Sequence, residues 1–312
     1  MNNKVLVTGG TGFVGMRIIS RLLEQGYEVQ TTIRDLSKAD KVIKTMQDNG
    51  ISTERLMFVE ADLSQDEHWD EAMKDCKYVL SVASPVSGQR VVMTANFGAV
   101  GFSNKDKNSI TNESHWTNED EPGLSVYEKS KLLAEKAAWD FVENENTTVE
   151  FATINPVAIF GPSLDAHVSG SFHLLENLLN GSMKRVPQIP LNVVDVRDVA
   201  ELHILAMTNE QASGKRFIAT ADGQIDLLEI AKLIKEKRPE IAQKVATKKL
   251  PDFILSLGAK FNHQAKEGKL LLDMNRNVSN ERAKTLLGWE PIATQEEAIL
   301  AAIDSMAKFH LI

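Results

Sequence analysis

The sequence predicts an α/β protein: a doubly wound parallel sheet followed by a smaller, mostly helical C-terminal lobe. Two observations carry this expectation. Short apolar strand patterns alternate with helical ones along the first half of the chain, and strands separated by helices of this length pair in parallel with helices on both faces. At roughly 150 residues per domain, the 312 residues allow two lobes.

Lys4 to Thr8 reads as a buried strand built on Val5, Leu6 and Val7. A glycine cluster follows, then Val14 to Gln25 carries Val14, Ile18, Ile19, Leu22 and Leu23 at helical spacing, and Gly26 ends that helix. Val29 to Arg34 is a second strand, Lys38 to Gln47 a helix stopped by Asn49-Gly50, and Leu56 to Glu60 a third strand. Ser64-Gln65-Asp66-Glu67 has the form of a capping box opening a helix to about Lys74, and Tyr78 to Ala83 is a fourth strand. Val91 to Thr94 is a fifth strand, Val126 to Val142 a long helix and Val149 to Ile154 a sixth strand. Beyond Pro156 the pattern loosens: a short helix at Phe172 to Leu179, a helix at Val196 to Met207, a strand at Arg216 to Ala219, and then mainly helices to Phe309. The expected division is a nucleotide lobe over 1–160, with 191–220 returning to it, and a substrate lobe from 161–190 and 221–312.

The composition is that of an ordinary globular chain, 43% hydrophobic and 25% charged. With 35 Lys and Arg against 43 Asp and Glu the formal charge is -8, which repels phosphate backbones and anionic lipid, so neither nucleic acid nor membrane is an expected partner. No apolar run reaches the length of a membrane span. A single cysteine, Cys76, and an N-terminus without a signal-type apolar segment point to the cytoplasm. The seven histidines form no metal-ligand cluster, so no metal is expected.

Between the first strand and first helix lies Thr8-Gly9-Gly10-Thr11-Gly12-Phe13-Val14-Gly15. This is the context of a dinucleotide turn. Gly9 permits the tight turn, Gly12 admits a pyrophosphate to the backbone, and Gly15 lets the helix pack on the strand, with the helix N-terminus supplying amide donors. At the end of the second strand, where an acid normally binds the adenosine ribose, stand Arg34 and then Asp35. A guanidinium there pairs with a 2′-phosphate, which favours NADP over NAD, and Lys38 and Lys41 add positive charge nearby. Tyr127 and Lys131 stand four apart on one helix face. Reducing a carbonyl by hydride needs a proton donor, and a tyrosine becomes a usable one when a nearby cation stabilises its phenolate.

Together with Ala61-Asp62-Leu63, Val82-Ala83-Ser84-Pro85, Asn155-Pro156, Phe160-Gly161-Pro162, the run Val194 to Ala200 and Leu287-Gly288-Trp289, these motifs resemble the extended short-chain dehydrogenase/reductases. The dihydroflavonol-reductase-like branch is the nearest, and the likeness covers nearly the whole chain. The resemblance implies a Rossmann domain, a C-terminal substrate lobe, and NADPH-dependent reduction of a small aldehyde or ketone by a monomer or homodimer. It implies Tyr127 as general acid with Lys131 as partner, Asp62 and Leu63 at adenine, Ala83 and Ser84 along the cofactor, and Pro156 and Val157 at the nicotinamide. The cluster around Asp195 and Asp198 opens a helix and is architectural.

Two departures stand out. Where the family places a catalytic serine after the fifth strand this chain reads Thr94-Ala95-Asn96. Asn96 falls at the serine position and its amide can donate to a substrate oxygen, with Thr94, two residues away on the same strand face, as a fallback. Only Pro85 to Arg90 separate the fourth and fifth strands, whereas a parallel crossover ordinarily takes a dozen residues or more. Six residues are not expected to make it. Either the chain has lost the family's loop and helix or the sequence omits a segment between Gly88 and Gln89; omission is the expectation. Two other functions fit the same fold: a nucleotide-sugar epimerase or dehydratase, which Arg34 opposes, and a non-catalytic NADP-sensing regulator, which Asn96 favours and the Tyr127–Lys131 pair opposes. His173 and Phe172 are further candidates to line a substrate pocket.

Overall fold

Alternating strands and helices lay down a single seven-stranded sheet in the computed structural model, which describes residues 3–82, 90–144, 148–258 and 262–312. The first half runs β1 (Lys4–Val7), α1 (Phe13–Glu24), β2 (Glu28–Ile33), α2 (Ala39–Asp48), β3 (Leu56–Glu60), α3 (Trp69–Met73), β4 (Tyr78–Ser81), β5 (Arg90–Thr94), α4 (Val126–Asn144) and β6 (Glu150–Pro156). Next come β7 (Ala158–Phe160), α5 (Phe172–Leu179), β8 (Val186–Pro187), β9 (Pro190–Leu191), β10 (Val193–Asp195), α6 (Val196–Thr208) and β11 (Lys215–Ala219). The C-terminal part holds β12 (Ile225–Asp226), α7 (Leu227–Lys237), β13 (Lys249–Leu250), α8 (Asp252–Gly258), α9 (His263–Asp273), α10 (Glu281–Leu287) and α11 (Gln295–Lys308).

The sheet order is β11-β6-β5-β4-β1-β2-β3, and every neighbouring pair is parallel. Strand order reverses on either side of β1, and in open sheets of this kind a ligand crevice opens at the carboxyl ends of the strands at that point. Buried on both sides, the central strands β1, β4 and β5 are largely apolar runs; Val5, Val7, Leu80 and Val92 are all inaccessible to solvent. Helix α1 buries Ile18, Ile19 and Leu22 and is tied to α6 by Arg21, whose Nε donates to Glu201 at 2.8 Å. A second apolar cluster joins α5, α7 and α11. Phe13, the first residue of α1, reaches into it and meets Phe172 edge-on at 5.4 Å between ring centres. The two cores therefore touch beside the glycine turn.

Two expectations need correction. Ser64 does not cap a helix: its amide and hydroxyl both donate to Asp62 Oδ1, at 2.9 and 2.8 Å. That local turn consumes the cap, and α3 begins only after His68, which sits in the left-handed region at φ 67°. The short link after β4 does not prevent parallel pairing either, since Tyr78 faces Arg90 and Ser81 faces Met93 in register. The eight residues 82–89 span up to about 26 Å when extended, against a return of roughly 13 Å along a four-residue strand. The position between Gly88 and Gln89 itself lies outside the described residues.

Candidate active site

The glycine turn forms because nothing larger fits. Gly9 adopts φ 72°, a conformation other residues rarely take. A Cβ on Gly15 would stand 2.3 Å from the Gly9 carbonyl oxygen. The turn closes through a hydrogen bond from Gly12 N to Gly9 O at 2.9 Å, and α1 starts at once, leaving its first-turn amides aimed at the strand ends. Gly12, Phe13, Val14 and Gly15 line a cleft of about 670 Å³. Thr94, Asn96, Tyr127, Lys131, Pro156 and Val157 line the same cleft.

Tyr127 and Lys131 are presented by α4, whose start is fixed by a reciprocal cap that the sequence spells as Ser125-Val126-Tyr127-Glu128. Glu128 N donates to Ser125 Oγ at 3.3 Å and Ser125 N donates to Glu128 Oε2 at 3.2 Å. Lys131 Nζ lies 5.9 Å from the centre of the Tyr127 ring. Burial raises the Tyr127 pKa above its ordinary value, the Glu128 carboxylate raises it further, and the Asn96 side chain draws it down. Burial lowers the Lys131 pKa. Of the groups around the phenol, the Asn96 side chain is the one that draws the Tyr127 pKa down.

Asn96 is set with care. Its Oδ1 accepts the Gly98 amide hydrogen at 2.5 Å, so the side-chain NH₂ is the end left for the cleft. Gly98 has no room for a side chain: a Cβ there would lie 2.6 Å from Asn96 Oδ1 and 2.8 Å from Glu128 Cγ. Behind Asn96 runs a buried network. Asn155 Nδ2 donates to Asn96 O at 3.3 Å and to Glu135 Oε2 at 2.7 Å. Glu135 Oε1 accepts from Thr153 Oγ1 at 2.9 Å and from Arg216 Nε at 2.8 Å. One carboxylate thus joins α4, β6 and β11 beneath the site. Thr94, the fallback, is engaged elsewhere: its hydroxyl meets Nε2 of the fully buried His203 at 2.7 Å.

The remaining sequence candidates divide. Arg34 is exposed at the end of β2 and close enough to Asp62 to help hold that carboxyl below its usual range, after the hydrogen bonds from Ser64. Asp35 spends its carboxylate on Ser37 N at 3.0 Å, so Arg34 keeps no ion pair among the described residues. Lys41 pairs with Asp165 at 3.2 Å. Thr11 and Leu63 are exposed. Ala83 and Ser84 lie outside the described residues. His173 points to Glu176 in solvent, and Phe172 is core, because the helical period of α5 turns them away from the cleft. His167 and Leu174 line it instead, as do Asn192 and Arg276. No sequence pattern marks these four, since tertiary folding alone brings them together. Asp195 and Asp198 serve the architecture: Asp195 Oδ1 accepts from Arg197 N, and Asp198 Oδ1 from Ile292 N, each at 2.8 Å. Among the described residues no cluster of three metal-ligand side chains occurs, and no helix is long and apolar enough to cross a membrane.

A parallel sheet with this strand order, a glycine turn at its switch point and a Tyr–Lys pair across the cleft define a nucleotide-cofactor oxidoreductase of Rossmann type. The comparisons with known proteins give its family. Residues 5–100 match the NAD dependent epimerase/dehydratase family. Ketoreductase azaE of Aspergillus niger is 30% identical over 300 aligned residues, covering 80% of this chain and 86% of that protein. Cinnamoyl-CoA reductase CAD2 of Medicago truncatula is 30% identical over 275, covering 77% and 82%. The crystal structure of yeast methylglyoxal/isovaleraldehyde reductase Gre2 complexed with NADPH superposes with a TM-score of 0.79 at 24% identity, over 98% of this chain and 99% of that one. The chain belongs to the extended short-chain dehydrogenase/reductases, in the dihydroflavonol-reductase-like branch. Because an alignment of 300 residues takes in only 80% of the 312 here, the ketoreductase carries residues with no counterpart in this chain.

Proposed function

We propose that the protein is an NADPH-dependent reductase of small aldehydes or ketones, with Tyr127 as general acid and Lys131 and Asn96 as its partners. The observation that carries this reading is the fixed Asn96 side chain. With Oδ1 held by Gly98 N, its NH₂ is the end offered beside the phenol, where a serine hydroxyl is expected. The cofactor is NADP(H), which supplies the hydride when bound.

The chain's own groups do the rest. Gly9, Thr11, Gly12 and the first-turn amides of Phe13, Val14 and Gly15 receive the pyrophosphate, in a turn that a Cβ at Gly15 would break against the Gly9 carbonyl. Arg34, exposed and without an ion pair among the described residues, takes the 2′-phosphate. Asp62 and Leu63 border the adenine, and Pro156 and Val157 wall the nicotinamide end. Asn96 Nδ2 donates to the substrate oxygen as negative charge grows on it. Tyr127 Oη delivers its proton to that oxygen, and Lys131 stabilises the phenolate that remains. Residues 1–160 with 191–220 hold cofactor, and 161–190 with 221–312 shape the substrate end. The cytoplasm is the compartment, in keeping with a lone half-buried cysteine whose thiol pKa burial raises.

Consumption of NADPH and NADH against a panel of aldehydes, diketones and ring ketones tests the proposal. Turnover that favours NADPH supports it. Cofactor binding without turnover of any panel member points to the sensing role.

A further inference from the structure

One wall of the cleft carries a cation that no carboxylate among the described residues pairs with. Arg276 lies between α9 and α10 and lines the cleft. It is 8% exposed, and its Nε is buried with no hydrogen-bond partner. Among the described residues its guanidinium forms no ion pair. Asp273, three residues earlier, pairs with Lys269. Lys107 adds positive charge beside it, with its ammonium on the carbonyls of Leu272 and Met274. Burial alone lowers the Arg276 pKa, to about 10, with no carboxylate acting against it.

The position is imposed. Asn192 Nδ2 donates to Arg276 O at 3.1 Å and to Gly223 O at 3.0 Å. Asn275 Nδ2 donates to Ser109 O at 2.8 Å, and Asn275 N donates to Asn104 O at 2.7 Å. Two asparagines thus clamp the backbone on either side. Asn192 Oδ1 is also buried without a partner and lines the same cleft. A buried donor and a buried acceptor are both left over here, and each costs stability unless a ligand satisfies it.

The other charged groups on the cleft wall are Lys131 and Glu128, both on α4. Glu128 is committed to the Ser125 cap. Arg276 instead stands in the segment between α9 and α10, in the same cleft that Gly12 to Gly15 line.

We propose that Arg276 is a specificity determinant that binds a carboxylate on the substrate, so that the preferred substrates are oxo acids and not neutral carbonyl compounds. This rests on the reductase reading above and deepens it. A guanidinium grips a carboxylate with two parallel hydrogen bonds. One such group at the far end of the substrate fixes the reacting carbonyl against Asn96 and Tyr127. Asn192 Oδ1 is then free to accept from a hydroxyl of the same molecule.

The test compares 4-oxobutanoate with its methyl ester, in wild type and in Arg276→Met, a neutral side chain of similar length. Wild type is expected to prefer the acid in kcat/KM. The variant is expected to lose about 100-fold more activity on the acid than on the ester, the scale set by stripping one partner from a buried charge pair. It should also melt higher than wild type, since it relieves a buried unpaired charge, and this shows that it folds. Equal losses on acid and ester overturn the proposal. So does a weakened Kd for NADPH, which would assign Arg276 to the cofactor. Calorimetric titration of succinate into the NADP⁺-loaded protein separates the two readings. Binding that Arg276→Met abolishes sustains the anion site even if neither carbonyl compound is reduced, whereas absence of both binding and preference sinks it.

Discussion

Replacing Asp198 by asparagine should change the stability of the protein by an amount that depends on pH, and even reverse its sign. Asp198 is inaccessible to solvent on α6. Its Oδ1 accepts Ile292 N at 2.8 Å, and its Oδ2 is buried without a hydrogen bond. Burial is the main reason its pKa is raised from 3.8 to about 6. A raised acid pKa means that between about pH 4 and 6 the folded chain holds a proton the unfolded chain has lost, so stability falls as pH rises through that window. Two pH units at about 1.4 kcal/mol each make the full penalty about 3 kcal/mol above pH 6. Asparagine never pays it, keeps the acceptor for Ile292, and leaves one amide NH₂ unpartnered at a cost of about 1 kcal/mol. The variant should therefore be about 1 kcal/mol less stable than wild type at pH 4 and about 2 kcal/mol more stable at pH 7.5.

His203, on the same helix, works in the opposite direction. Its pKa is lowered from 6.5 to about 4 by complete burial, so its contribution is lost as pH falls from about 6.5 toward 4. In wild type the two slopes oppose each other, and Asp198→Asn should uncover the steeper acid loss due to His203. Urea unfolding from pH 4 to 8 measures this. A difference between variant and wild type that stays constant across the range would mean that Asp198 does not titrate with a raised pKa in the folded chain.

Further outcomes follow from the site. Gly98→Ala should lower kcat by about 10- to 100-fold with secondary structure intact by circular dichroism, because the new Cβ displaces Asn96 Oδ1, and an oxyanion donor of this kind is worth about 100-fold or more. Arg34→Glu should raise KM for NADPH by about tenfold or more and leave KM for NADH nearly unchanged, since only the former carries the 2′-phosphate that a carboxylate repels. Glu135→Gln should cost about 3 to 5 kcal/mol in urea unfolding, because it leaves the buried Arg216 guanidinium without its counter-charge.

How much of this the residues announced depends on the range of the interaction. Val5-Leu6-Val7, the helical spacing of Ile18, Ile19 and Leu22, and the glycines between them are local signals, and β1, α1 and the turn stand where those signals put them. The Ser64 to Glu67 expectation failed because a closer acceptor, Asp62, captured the serine first. That competition is invisible to a spacing rule. Lys41 pairs with Asp165, a residue far off in sequence, and no spacing rule shows that contact. Asn96 could be placed from its distance to β5, but which end of its amide faces the cleft depends on the Gly98 amide. Arg276 carries no pattern at all. Its meaning lies in the missing partner, and only the folded chain shows that.

Single-turnover reduction with NADPH in wild type beside Tyr127→Phe, on the best substrate from the carbonyl panel, tests whether Tyr127 is the general acid. The variant should lose at least about 100-fold in the chemical step with the Kd for NADPH within a factor of a few, because proton transfer by a positioned side chain contributes about that much. Reduction at the wild-type rate in the variant would contradict it.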